Sequence, residues 1–166
     1  MQTYGVDYTE TYYTVANLKS IRVFLVMCCR KGMFIYQYDI DTAFLNGVLE
    51  EEVYVYPPLG IQSSRDQVLK LNRSVYGLKQ AAVTWFKIIS YVLVEMRFRS
   101  CVADSCIFVK YTKGTWICVA LYVDYLLIGA ESIILIKVVA GQLSSRLKMK
   151  ILESVRFILE IKVNYL

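Results

Sequence analysis

The chain has 166 residues, 19 lysines and arginines against 14 aspartates and glutamates, and a hydrophobic content of 57%. That length supports one ordinary domain with a sizeable core, the apolar content excludes disorder, and the modest basic excess suits a polyanionic partner without requiring one. There is no histidine, which removes Ser-His-Asp and Cys-His catalysis and the commonest zinc ligand, leaving carboxylate, lysine, tyrosine and cysteine chemistry.

MQTYGVDYTE has neither a basic nor an apolar segment of the secretory kind, so an intracellular protein, cytoplasmic or nuclear and not secreted, is expected. From Asn17 to Arg30 the apolar positions Leu18, Ile21, Leu25 and Cys28 recur at three and four residues, and Gly32 follows as a stop, which predicts a helix. FIYQYD predicts a short strand ending at Asp39. Residues 42–52 carry an N-cap signal at Thr42 and an Asn-Gly turn signal, and resist a single assignment. EVYVY alternates at period two until Pro57-Pro58, IQSSRDQ reads as a surface loop, QVLKL as a strand and SVYGLKQ as a turn.

Residues 79–96 predict a helix whose apolar face includes Val83, Phe86, Ile89, Leu93 and Met96. CIFVKY and WICVALYV form a hairpin about Thr112–Gly114, and YLLIGA makes a second one if the chain reverses at Asp124. A helix near Ser132–Leu147 and a strand near Val155–Val163 follow. With no repeat, low-complexity tract or linker, residues 1–166 read as a single α+β domain.

The five cysteines are odd in number, lie in apolar surroundings and form no CxxC pair, so they read as buried thiols in a reducing compartment. Mean hydropathy is +0.43, and residues 116–130 are nearly all apolar. That run is shorter than the roughly 20 residues needed to span a bilayer and has Asp124 at its middle. No transmembrane segment is expected, and membrane association stays a minor alternative.

Asp124 therefore needs a reason to sit between two apolar runs, because a lone buried carboxylate costs several kcal/mol. At a hairpin tip it reaches solvent and the cost largely disappears. Asp39 lies at the end of another strand, and two strand-end carboxylates on one surface would suit Mg²⁺. From spacing alone, turn-capping by both residues is the stronger reading.

DYTETYYTV, SIRVFL, YQYDIDTAFLNGVLEEEVYVYPPLG, SVYGLKQA, Trp85-Phe86 and ADSCIFVK, in that order and ahead of LYVDYLLIG, change that balance. Over nearly its whole length the chain resembles the reverse transcriptase domain of copia-type LTR retrotransposon Pol polyproteins. The resemblance implies a polymerase palm with partial fingers, a mainly antiparallel sheet with packed helices, and RNA-directed DNA synthesis on a template-primer with dNTP and two Mg²⁺ ions. Carried over residue by residue, Asp39 and Asp124 match the catalytic, metal-binding carboxylates. Ile40 would face the metal with its carbonyl, Phe44 would screen the sugar 2′ position, Gln80 would touch the nucleotide, and Tyr122 and Val123 would lie against primer and nucleotide. Away from the resemblance, Phe44 reads as a core aromatic and Gln80 as a solvated helix start.

The match breaks at Tyr125, where the family has a second aspartate and this chain has a phenol, a poor Mg²⁺ ligand. Ala82, Leu59 and Glu160 also depart from the family pattern, and Asp41 adds negative charge where a triphosphate would approach. The resemblance further implies that finger strands are missing ahead of Met1. Two readings stand: an active polymerase working through Asp39 and Asp124, or a truncated, degenerate and non-catalytic relic of the fold with weak nucleic-acid binding. In either, Lys79, Arg146, Lys148 and Lys150 are available to phosphates.

Overall fold

The computed structural model describes residues 15–58, 60, 67–155, 157–158 and 161–163. All of the IQSSRDQ segment but Gln67, together with Leu59 and Glu160, lies outside them. The elements are helix α1 (Leu18–Arg30), strand β1 (Phe34–Ile40), a 3-10 turn (Ala43–Asn46), β2 (Val48–Val55), β3 (Leu69–Arg73), α2 (Ala81–Glu95), β4 (Arg99–Ser100), β5 (Ile107–Thr112), β6 (Thr115–Tyr122), β7 (Tyr125–Ala130), α3 (Ile133–Ser144), β8 (Met149–Ser154), β9 (Phe157–Ile158) and β10 (Ile161–Lys162). This is an α+β arrangement whose strand pairs are all antiparallel.

The chain divides into two compact units, one around Thr42–Ile89 and the other joining Thr14–Asp41 to Ser90–Leu166. The second holds a six-stranded sheet in the order β4-β5-β6-β7-β1-β8. Its centre is apolar: Leu121, Leu126, Leu127, Ile128, Val119 and Ala120 are almost wholly buried. Lys113 and Gly114, with φ of +48° and +83°, form the two-residue turn between β5 and β6. Positive φ at both positions matches the twist of the flanking strands.

Helix α1 forms where the periodicity places it. The Asn17 side chain accepts a hydrogen bond from the Lys19 amide at 2.9 Å, which caps the first turn. Gly32 ends the helix with φ of +60°, a conformation that costs glycine little. The Asn17 amide donates to Asp104 Oδ2 at 2.9 Å and the Cys106 amide to Asp104 Oδ1 at 2.9 Å. Partial burial works against ionisation of Asp104, and hydrogen bonds from Ser20, Asn17 and Cys106 outweigh it, holding the carboxyl below the usual range. This carboxylate ties the start of α1 to the start of β5.

Ile21, Phe24, Leu25 and Cys28 form the buried face of α1, and the helix meets the sheet at Gly129. A Cβ built there would lie 2.7 Å from Cys28 Sγ and 3.4 Å from Phe24 Cζ. Gly129 is opposite Ile35 on β1 and Cys118 on β6, so it is the gap that lets α1 approach. Helix α3 starts at Ser132, whose hydroxyl accepts from the Ile134 amide at 3.2 Å, and it buries Ile136, Val139, Ala140 and Leu143.

In the first unit β2 and β3 form a ribbon with Val53 opposite Leu71. Residues 42–52, ambiguous in sequence, divide into the 3-10 turn and the first part of β2. Gly47 separates them, and a Cβ there would lie 2.7 Å from Thr84 Cγ2.

Three expectations need correction. The buried side of α2 is Ala81, Trp85, Ile89, Val92 and Leu93; Val83, Phe86 and Met96 are only half-buried. Nearly every position of this helix is apolar, so periodicity reveals a helix and leaves its rotation undetermined. Where one strand is expected near Val155–Val163, the described residues hold two two-residue strands, β9 and β10, and a longer strand, β8, precedes them from Met149 to Ser154. Of the cysteines, Cys28, Cys106 and Cys118 are buried, Cys101 is half-buried and Cys29 is exposed; Cys28 and Cys29 are adjacent on a helix, so only one of them can face the sheet. No described helix is long and apolar enough to cross a membrane.

The close contact at Gly129 generates a prediction. Gly129→Ala forces Cys28 and Phe24 off the sheet and lowers unfolding free energy by about 1–3 kcal/mol, as overpacking does. Urea denaturation of the two proteins measures it.

Candidate active site

Tyr122 and Tyr125 are the last cross-strand pair of the β6–β7 hairpin, and Val123 and Asp124 form the turn between them. Val123 has φ of +56°, an outlier for a β-branched residue that costs on the order of 1–3 kcal/mol. Such strain persists where the surrounding structure fixes it, and here the neighbouring strand does so. The Ile40 amide donates to the Asp124 carbonyl at 2.9 Å, and Asp39 lies directly opposite Tyr125.

The antiparallel pairing brings the two predicted carboxylates together at one end of the sheet. Because side chains alternate along a strand, Asp39 shares a face with Ile35, and Tyr125 shares that face with Gly129. Helix α1 covers the Gly129 end. At the other end Asp39, Val123 and Asp124 are half-buried and Tyr125 is exposed. Burial pushes the Asp124 carboxyl above its ordinary range, against the opposing hydrogen bond from its own amide, and the negative charge of Asp39 adds a smaller upward push.

On the other side of β1, Asp39 is opposite Lys150 of β8, and the Asp41 amide donates to the Lys148 carbonyl at 2.9 Å. Asp39 and Asp41 face Lys148 and Lys150 across one ladder, all on one face. The ion pairs nonetheless converge on Asp41, whose Oδ1 accepts from Lys150 Nζ at 2.8 Å and whose Oδ2 lies 3.5 Å from Lys148 Nζ. Only 12% of the Asp41 side chain is exposed. The hydrogen bond from Lys150 is the main reason its carboxyl sits below the ordinary range. The expected unfavourable charge of Asp41 is therefore neutralised within the fold, and Lys148 and Lys150, expected to be available to phosphates, are engaged. Arg146 pairs with Glu95.

The other predicted nucleotide-binding residues are distributed as follows. The Ile40 side chain is in the core, and its amide donates to the Asp124 carbonyl. Tyr122 ends β6, with Val123 next to it in the turn. Phe44 and Gln80 belong to the first unit. There the Phe44 ring packs on Tyr76 with centroids 4.6 Å apart. Gln80 is 5% exposed at the start of α2, and its carbonyl accepts from the Thr84 amide and hydroxyl at 3.0 and 3.1 Å. It is not the solvated helix start that its neighbours in sequence suggest. With Val48, Glu50, Glu51, Val83, Thr84 and Lys87 it lines a cavity of about 260 Å³.

Sequence reasoning missed Lys150 as part of the site. The signal was the match in spacing between Asp39-Ile40-Asp41 and Lys148-Met149-Lys150. It went unread because no strand was expected at Met149.

As a metal-holding set, the cluster is small. Among the described residues no three histidine, cysteine, aspartate or glutamate side chains gather to hold an ion, and the third nearby carboxylate, Asp41, is committed to lysines. Two carboxylates, one resisting ionisation chiefly because it is buried and further because of the other's charge, fit one divalent cation between them better than two.

The electrostatics make a testable statement. The folded pKa of Asp124 is raised above its unfolded value, so its ionisation opposes folding at neutral pH and not below the unfolded value near 3.8. Asp124→Asn removes that opposition. In EDTA at pH 7 the variant melts above the parent, and the difference closes as pH falls towards 3.8; thermal melts across that range check both statements.

Comparison with known proteins gives a consistent answer. The family model described as reverse transcriptase (RNA-dependent DNA polymerase) matches residues 1–165. The chain is 34% identical over 165 residues to the retrovirus-related Pol polyprotein from transposon TNT 1-94 of Nicotiana tabacum, covering 98% of this chain and 12% of that protein. It is 33% identical over 160 residues to that from transposon RE2 of Arabidopsis thaliana, covering 95% and 11%. It is 30% identical over 155 residues to the transposon Ty1-GR3 Gag-Pol polyprotein of Saccharomyces cerevisiae, covering 89% and 8%. The chain thus spans about a tenth of the length of these relatives. No solved structure matches. With a family model over essentially every residue and copia-type Pol polyproteins among its relatives, the chain belongs to the reverse transcriptase (RNA-dependent DNA polymerase) family.

Proposed function

We propose that this chain is the palm, with part of the fingers, of a retrotransposon polymerase that extends a primer on an RNA or DNA template, and that this copy is catalytically impaired. The observation that carries the reading is the meeting of Asp39 and Asp124 at adjoining strand ends, with the Ile40 amide bonded to the Asp124 carbonyl. Two residues from family motifs far apart in sequence have no need to converge unless the fold uses them together.

In this reading Asp39 and Asp124 hold Mg²⁺, which, when bound, draws charge from the attacking and leaving oxygens of phosphoryl transfer. The work of the chain itself is positioning. The strained Val123 turn fixes Asp124 relative to Asp39, and Tyr122 and Val123 border the primer. By resemblance to the family, Phe44 would screen the sugar 2′ position and Gln80 would touch the nucleotide.

Impairment follows from Tyr125. It stands opposite Asp39, where the family supplies a further carboxylate, and the phenol provides neither the charge nor the oxygen geometry that a second ion needs. Asp41 offers no replacement while its oxygens face Lys148 and Lys150. A relic that retains nucleic-acid affinity without turnover is the limiting case of the same reading.

Primer extension on a homopolymer template is the test. With Mg²⁺ or Mn²⁺ we expect activity at least about 10 to 100-fold below an intact relative, the loss typical of weakened metal sites. Tyr125→Asp should raise extension without restoring it fully. Extension at the rate of an intact relative refutes impairment. Binding to primer-template that is absent at about 50 mM salt, or unchanged on raising it to about 200 mM, refutes the nucleic-acid reading.

A further inference from the structure

Lys150 stands directly opposite Asp39 in the β1–β8 ladder, yet its amine is 2.8 Å from Asp41 Oδ1, on the diagonal. Directly opposed side chains are the nearest neighbours across an antiparallel pair, and opposite charges there attract. Asp39 is thus a competing partner for this amine at least as close in register as the one it has. Lys148 adds its own amine 3.5 Å from Asp41 Oδ2, so the half-buried Asp41 gathers both positive charges of β8. Among the described residues Asp39 makes no direct N–O ion pair; Lys150 feels its charge, but more weakly than that of Asp41, to which it is hydrogen-bonded.

We propose that Asp41 is a positioning residue that draws Lys150 away from Asp39 and so keeps the Asp39–Asp124 pair open to a divalent cation. The inference rests on the reading of those two carboxylates as the metal site. An amine seated on Asp39 would neutralise one of the two charges a cation needs and occupy its oxygen. The diagonal bond to Asp41 prevents this without removing lysine from the neighbourhood. Asp41, which in sequence looks like a misplaced charge near a phosphate-binding loop, becomes in this account a condition for the site's use.

The test is Mn²⁺ binding by calorimetry on the 166-residue protein, with metal-free stability measured in parallel by urea denaturation in EDTA. Asp41→Asn should weaken Mn²⁺ binding about 10-fold, as loss of a group that orients a ligand typically does. Asp41→Asn combined with Lys150→Met should restore it to within about 2-fold of the parent, because the displaced amine is then gone. Damage from general misfolding would not be rescued by a second substitution. In EDTA, double-mutant cycles should find Lys150 coupled more strongly to Asp41 than to Asp39 in the parent, and its coupling to Asp39 should grow once Asp41 is Asn.

Equal Mn²⁺ affinity in the parent and Asp41→Asn, or no rescue by Lys150→Met, overturns the proposal. So does a metal-free cycle in which the coupling of Lys150 to Asp39 is no greater once Asp41 is Asn than in the parent. A parent that binds Mn²⁺ no better than Asp124→Asn refutes the metal-site reading itself. The EDTA cycles still decide, by themselves, where the amine goes.

Discussion

One hydrogen bond, from the Ile40 amide to the Asp124 carbonyl, fixes the register on which the site depends. It extends the β1–β7 ladder to the tip of the β6–β7 hairpin and sets Asp39 opposite Tyr125. A slip of one residue would exchange the faces of β1. Asp39 would then turn to the side now taken by Tyr38 and Ile40, which are 2% and 1% exposed, and an unpaired carboxylate there would cost several kcal/mol. The apolar residues of β1 thus hold the carboxylate in place by excluding the alternative, while Gly129 lets α1 close over the far end of the same face.

Electrostatics in this corner of the sheet is a matter of distribution more than of total charge. Asp39, Asp41 and Asp124 meet Lys148 and Lys150 within a few ladder positions, which leaves a small net charge. The lysines gather on one acid, and Asp39 and Asp124 are left with the weaker share of their charge. A site meant only for stability would alternate the charges. Concentrating uncompensated negative charge where the strands end is a cost to folding that makes sense when a cation is to be bound, the usual exchange of stability for function.

Much of this was legible in the sequence because local chemistry and tertiary position agreed. The period of α1, its Asn17 cap and Gly32 stop, and the two hairpins all form as their residues suggest. The convergence of Asp39 and Asp124 followed from placing each at a strand end. What escaped depended on contacts that no local pattern encodes. The rotation of α2 is chosen by what packs around Trp85, since its sequence is apolar on nearly every side. Gln80 reads as polar and therefore exposed, whereas the fold buries it. Strand β8 was hidden because Lys148 and Lys150 look like a charged surface until Asp41 is seen across from them.

The thiols carry a practical consequence. Burial pushes Cys28 and Cys106 up to about 12 and Cys118 up to about 11, with neighbouring groups adding to each, and it also raises Cys101. Alkylating reagents attack the thiolate, so Cys28, Cys106 and Cys118 are protected by both access and chemistry while the fold is intact, and the half-buried Cys101 chiefly by chemistry. Cys29 is exposed on α1. Of its five cysteines the protein therefore offers Cys29 most readily to a maleimide, and a fluorophore attached there reports on the helix seated over Gly129. The three buried thiols become countable only as the sheet opens, which turns a thiol titration into a measure of unfolding.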